Sequence, residues 1–501
     1  NQFLNEGAVA LQDSTLLVDD TTASVFQGLS LTNSTVSIVG ELDATGATVD
    51  VGTGTALGDV TIGLKPPSSQ YSSAAIFGGT IHDSGGGLEI FGNVQFADLV
   101  YQGVLTIAAP YTNVTVSNMT LEDKNGRNAG KLILSGAQSV LDVAAGTTLD
   151  NATVEIGSST IRSGGVSFDV PRIEELGTGQ PASLGASLIV DQTAKYAGLG
   201  ANDYSSSFSS SATVDAAFAG GQMTLDGGTF INAGVIYIGT DESVTSAAAS
   251  LANQGIVNVA GGGTLALNLL KFYQALPASG TSFDNSGTIT LAGGTLVEQS
   301  GKSIPPVALR NDATGLIAGT GIIAAEVTNN GTVAATGGAL TLSQAITGAG
   351  VLEVGATSTL SVLSSVSSGE TAQFGGADGV LGLAPKSFLG EIGGFAAGDT
   401  IDLFKTSATA ASFSGSSIVV TLSAGGTLTL HTTSALSGSL TVTGDGNGGS
   451  LIGFAGAPHM AAEIPVLPST SEEPSLGGRA AWIGFEAQEH LRLDLQHHVM
   501  W

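Results

Sequence analysis

Paired carboxylates are the first residues in this chain that could do chemistry. Asp19-Asp20, Glu174-Glu175 and Asp241-Glu242 each put two acids side by side. Glycan cleavage needs two carboxylates flanking one bond, one as acid and one as base or nucleophile. Neighbouring residues on a strand point to opposite faces, so these pairs are predicted as solvated turn carboxylates rather than acid/base dyads. A sugar groove also calls for aromatic rings. Tyr196, Tyr204 and Phe208 form the candidate cluster, with anchoring of a loop as the simpler role. There is no cysteine nucleophile, no G-x-S-x-G elbow, no H-E-x-x-H and no phosphate-cradling G-x-x-x-x-G-K-[ST]. No catalytic residue is assigned, and an enzyme is not the expected reading.

Metal chemistry has three weak footholds. Gly444-Asp445-Gly446-Asn447-Gly448-Gly449 and Gly375-Gly376-Ala377-Asp378-Gly379 are isolated acidic glycine loops. Calcium takes 6–8 oxygens, more than one such loop supplies. The neighbourhood of Asp399, Asp402 and Asp445 is where calcium would sit, but plain turns and no cofactor are expected. His490, His497 and His498 suit a surface or interface role better than a transition-metal patch. The sequons at Asn33, Asn113, Asn118 and Asn151 read as Asn/Thr turn chemistry.

The elements that would position these residues repeat. Phe283 to Gln299 reads as two alternating strands joined by Gly-Gly and announced by Asn285-Ser286-Gly287. The same Asn-x-Gly signal recurs at Asn5, Asn232, Asn253 and Asn329, with an apolar side chain two residues earlier each time (Phe3, Phe230, Leu251, Phe283, Val327). Such recurrence indicates a solenoid or array. Asparagines at one corner of successive coils can bond amide to amide as a ladder, and the following glycine suits a left-handed backbone. About 20 coils, stacked about 4.8 Å apart, would make a rod of about 100 Å.

Composition agrees with a β-rich, ordered chain. Glycine is 73 of 501 residues and hydrophobic residues are 42%, while charged residues are 11%, well below the roughly 25% of an ordinary domain. The net charge of −28 repels phosphate backbones and anionic lipid, which argues against nucleic-acid partners. No apolar run is long enough for a membrane helix, so no membrane insertion is expected. Aromatics at 5% disfavour a propeller, whose blades carry aromatic motifs. The absence of cysteine fits a secreted bacterial surface protein that does not rely on disulfides.

The fold expected is an all-β, right-handed parallel β-helix with loop inserts and a non-solenoid tail. Residues 1–366 carry the repeats and 367–455 a terminal β-solenoid or β-rich module. Residues 456–476 form a proline-rich linker and 477–501 a docking or capping tail. Pro171 to Pro181 and Asn202 to Ser211 are read as loops leaving the stack. The tail, with Trp482, Phe485, Leu491, Leu493, Leu495 and Trp501, has two readings: it caps its own solenoid, or it adds as a strand to the next molecule. The second would build a head-to-tail filament.

The Asn-x-Gly and Gly-Gly-x-Leu repeats resemble the passenger regions of bacterial autotransporter and filamentous-haemagglutinin-type adhesins. The run Leu383 to Phe395, followed by Gly398-Asp399-Thr400-Ile401-Asp402-Leu403, looks like a module of very large proteobacterial surface proteins. The resemblance implies an extracellular structural or adhesive protein that assembles with itself or grips a glycan or host surface. A tailspike-like polysaccharide-acting enzyme, and a glycan-binding adhesin using the 171–211 loops, are the alternatives.

Overall fold

The computed structural model describes residues 8–65, 73–160, 170–176, 180–201, 206–267, 282–298 and 308–454. The linker, the tail from Trp482 to Trp501, Asn5 and Tyr204 lie outside the described residues, as do His490, His497 and His498. All described residues belong to one compact unit, Asn1–Ala457.

The chain winds as a three-faced parallel β-solenoid. One coil shows the plan: Thr229–Asn232 on face 1, Val235–Ile238 on face 2 and Ser243–Ser246 on face 3. Each strand pairs in parallel with its counterpart one coil later, as Thr229–Asn232 does with Ser250–Asn253, placing Phe230 beside Leu251 and Asn232 beside Asn253. The sequence dictates this through period-2 alternation. In Ile256–Ala260, Val257 and Val259 are buried while Ile256 faces solvent.

Pairing also turns corners. Thr288–Glu298, Leu316–Ala324 and Thr332–Leu342 each run unbroken from face 2 into face 3. Strand follows strand around the core, yet the path is a spiral and no barrel closes. From Thr15–Val18 to Glu391–Gly393, face 2 carries about 17 strands, which at about 4.8 Å per coil gives a stack of about 80 Å. That is shorter than a 20-residue period implies, because some coils are longer: Asn253 and Asn285 are 32 residues apart.

The interior is a column of stacked apolar side chains. On face 1, Phe208, Phe230, Leu251, Phe283, Leu309, Val327 and Ile346 follow one another in register, all buried. The first two rings sit 5.8 Å apart. Each such side chain is worth about 1.5–3 kcal/mol of burial.

Two segments expected to leave the stack belong to it. Arg172–Leu176 is a face 3 strand paired on both sides, and Ser207–Ser210 is a face 1 strand whose Phe208 is fully buried. Their polar, serine-rich letters concealed an alternation in which only every second residue must be apolar. Glu174-Glu175 is accordingly not a turn. Glu174 faces outward, whereas Glu175 takes the inward register position of Val143 and is buried.

Parallel pairing continues past Val366 to Thr400–Leu403. Beyond it the direction changes. Ala408–Phe413, Ser417–Leu422 and Thr427–Thr432 form an antiparallel meander, and Leu440–Gly444 with Ser450–Phe454 forms a hairpin. Thr427–Thr432 pairs with Glu391–Gly393, and Ser450–Phe454 pairs antiparallel with Thr400–Leu403. The face 2 and face 3 edges of the last coil, an invitation to aggregation if left open, are thereby occupied. Phe395, Phe454 and Phe413 seal the junction, with neighbouring rings 5.2 and 5.4 Å apart.

Candidate functional site

Three groups of polar side chains are built into the solenoid. The first is an asparagine ladder at the corner between faces 1 and 2. Asparagine lies two residues after the apolar member of its strand, so both point inward. Asn232 donates to Asn253 Oδ1 (2.8 Å), Asn253 to Asn285 (2.7 Å), Asn285 to Asn311 (2.8 Å) and Asn311 to Asn329 (2.8 Å). The second amide proton of each goes to a main-chain carbonyl one coil on, at Ile256, Thr288, Leu316, Thr332 and Val351. Asn329 donates last to Glu370 Oε2 at 2.9 Å, which ends the ladder on a carboxylate. Burial raises the Glu370 carboxyl above its ordinary range, against the pull of that N–H.

Sequence reasoning placed Asn232, Asn253, Asn285 and Asn329 at such corners but omitted Asn311. Its glycine comes four residues later, at Gly315, because Asp312, Ala313 and Thr314 lengthen the corner. The role given to the glycines also needs correction. Gly234, Gly255, Gly287 and Gly331 are not in the left-handed region. They are glycine because a Cβ would lie 2.1–2.3 Å from a carbonyl oxygen of the coil beneath.

The second group is a charged box on the outward side of face 3. Thr115, Asp142, Glu174, Gly200 and Asp226 occupy one register column on five successive coils. Arg172, one column over, forms an ion pair with Glu174 through Nε at 3.0 Å and reaches across glycine-bearing Tyr196–Ala201 to Asp226. Gly200 leaves the space: a Cβ there would stand 2.4 Å from Asp226 Oδ1. Burial, then the neighbouring Glu174, pushes Asp142 up to about 7. Burial raises Glu174 and pushes Asp226 up to about 6, with Arg172 opposing both. Three acids thus face one guanidinium. Side-chain exposure is 13% for Glu174, 7% for Asp226 and 4% for Arg172, so the box is covered.

The remaining acids are scattered along the stack. Asp241 takes a left-handed turn conformation (φ 58°), while Glu242 is buried and pushed up to about 8 by that burial. Asp20 is likewise left-handed. Asn33, Asn118 and Asn151 have positive φ, whereas Asn113 begins a strand. On the outside of face 2, Glu155, Asp191, Asp215 and Tyr237 follow in register. Lys131 bonds Glu155 at 2.6 Å, and Tyr237 is 46% exposed. Nothing in the sequence marked this strip, because its members are separated by a full coil.

The third group is the set named for calcium. Asp399 uses both oxygens on main-chain N–H groups, of Gly379 at 3.2 Å and Ala396 at 2.9 Å. Asp445 Oδ1 accepts from Asn447 and Gly449 at 2.7 and 2.8 Å, closing its loop. Asp402 is buried, with Oδ1 unpartnered. Among the described residues no three His, Asp or Glu side chains converge as metal ligands. No protein-family model, curated protein or solved structure matches this chain.

Proposed function

We propose that this chain is an extracellular structural or adhesive rod of a bacterial surface. The observation carrying the reading is the uninterrupted stack: one apolar column and one asparagine ladder span coil after coil, so bending must break many bonds together. A chain of net charge −28 is kept soluble and apart from nucleic acid and anionic lipid by its own field. Head-to-tail filament growth is part of the proposal, with residues 477–501 as the joining segment. The pairing of the last coil's edges by Thr427–Thr432 and Ser450–Phe454 supports a reading in which the joining strand docks elsewhere than on those edges. Negative-stain imaging of the full chain and of a chain lacking residues 457–501 tests this: filaments from the first and single rods from the second are expected. Filaments of equal length from both would refute the tail's part.

A second reading is glycan binding, favoured by the outer strip of face 2. Tyr237 offers an exposed ring, Asp191 and Asp215 offer acceptors for sugar hydroxyls, and Ile189 and Ile256, 45% and 41% exposed, extend the contact. A glycan array with wild type and Tyr237→Ala tests it; loss of a bound glycan in the variant is expected. A reducing-sugar assay on any glycan bound reads out the polysaccharide-acting alternative.

A further inference from the structure

One histidine on the early coils sits between two hydrogen-bond acceptors. Thr48–Val51, Thr80–Asp83, Val100–Gln102 and Thr120–Glu122 pair in parallel as the face 1 sheet of those coils. Their registers stack Asp50, His82, Gln102 and Glu122 in one outward column. After Glu122 the chain folds back as a small loop, closed by an antiparallel bridge between Glu122 and Ala129. The loop is tied together from within. Asp123 accepts from the main-chain N–H groups of Asn125 and Arg127 at 3.1 and 3.0 Å and from the Asn128 amide at 2.6 Å. The Gly126 N–H donates to the Asp123 carbonyl at 2.8 Å. The loop is also seated on the column: a Cβ at Gly126 would stand 2.4 Å from Gln102 Nε2 and 3.2 Å from Glu122 Oε2. Among the described residues, one ring hydrogen-bonds the Asp123–Asn128 loop to an earlier coil. His82 Nε2 lies 3.2 Å from the Lys124 carbonyl oxygen, while Nδ1 lies 2.8 Å from Asp50 Oδ1.

A carbonyl and a carboxylate can only accept, and neutral imidazole has a single N–H. Either neutral tautomer therefore sets a ring lone pair against an oxygen, whereas the imidazolium donates to both. We propose that His82 is a proton-operated latch: as imidazolium it clamps the Asp123–Asn128 loop to the outside of face 1, and on losing its proton it releases the loop. The groups around the ring fit this role. Asp50, on the preceding coil, favours the cation, and Gln102, on the following one, is uncharged. Glu122, one coil further in the same column, adds negative charge and is bonded to Gln102 at 3.0 Å. On the loop, Asp123 is committed to its own N–H groups, while Lys124 and Arg127 are exposed. On the histidine's own strand, Asp83 is buried and accepts from the Tyr101 hydroxyl at 2.6 Å. The His82 side chain is 35% exposed, so its proton exchanges with solvent. The seated loop favours the protonated ring, so seating is complete at low pH and lost as pH rises through the histidine range of about 5–8. The loop keeps its internal bonds on release and uncovers Gln102 and Glu122 as it leaves. The latch is independent of any adhesive or filament role.

The test uses the full chain, which has no cysteine, so a spin label on Asn125→Cys reports on the loop alone. Between pH 5 and pH 8 the ratio of immobilised to mobile label is expected to fall about fivefold, the scale that an exposed ion pair commands. With His82→Gln added, which cannot ionise, the ratio is expected to be low and equal at both pH values. With Asp50→Asn added, the transition moves to lower pH, because the cation has lost its counter-charge. The ¹⁵N NMR signals of the ring, assigned by their loss in His82→Gln, follow the proton directly: both nitrogens protonated at pH 5 and one at pH 8 are expected. A label ratio that does not respond to pH overturns the proposal, as does a neutral His82 ring at pH 5. A pH response that survives in His82→Gln overturns it too, since general charge repulsion would then be moving the loop.

Discussion

Asn285 shows what one residue contributes. It accepts from Asn253, donates to Asn311 and donates again to the Leu316 carbonyl, all inside the solenoid. Asn285→Ala leaves the Asn253 amide and the Asn311 carbonyl without their partner in a fully buried corner. An unsatisfied buried group costs about 1–3 kcal/mol, so a loss of about 3 kcal/mol is expected from the denaturation midpoint at constant m-value. A change below about 1 kcal/mol would mean that water or a shifted amide repairs the gap. The ladder was legible because asparagine, glycine and an apolar residue recur at fixed offsets within one strand. Asn311 escaped because the offset to its glycine changed, and the charged box escaped because Asp142, the Arg172/Glu174 pair and Asp226 lie 30 and more residues apart in sequence.

At the scale of the element, the corners limit what the stack tolerates. Gly319 and Gly337 both have positive φ (122° and 74°), yet their surroundings differ. A Cβ at Gly319 would lie 2.0 Å from the Leu291 carbonyl oxygen, whereas Gly337 has open space. Gly337→Ala should cost about 1–2 kcal/mol, the price of a left-handed alanine. Gly319→Ala must also push the coils apart, so it should lower the melting temperature several times further. Equal losses would show that backbone conformation alone governs these corners. The strand Arg172–Leu176 teaches the complementary lesson. Its outward face is charged and its letters look like a loop, but partners on both sides supply the main-chain bonds that make it a strand.

Over the whole molecule, burial has turned many carboxyls into weak acids. Asp142 is raised to about 7, Glu242 to about 8, and Asp226 and Asp402 to about 6, each chiefly by desolvation. A carboxyl whose pKa is raised on folding binds more protons in the folded state. Its stabilisation is complete below the ordinary carboxylate range, near about pH 4, and is lost as pH rises through the folded value. The rod should therefore melt highest near about pH 4 and progressively lower toward pH 8, with self-repulsion of the net charge adding to the trend. Asp123, held down at about 2 by main-chain N–H bonds, acts in the opposite sense but below this window. Thermal melts across pH 4–8 in calcium-free buffer check the prediction, and a flat or rising profile would contradict it. Asp142→Asn, which cannot ionise, should flatten the slope between about pH 4 and 7 while changing it little above pH 7.

Local chemistry along the chain was enough to determine the repeat, its β character and the inward corner asparagines. Alternation and turn residues act over a few positions, and a solenoid reuses that short-range rule in every coil. Register was decided only in three dimensions. Which residue of one coil lies over which residue of the next depends on how many residues each corner absorbs. That offset brought Asp142, Glu174, Arg172 and Asp226 together and set Tyr237 above Asp215. It also reversed the chain after Leu403 so that a hairpin, rather than another coil, closes the stack.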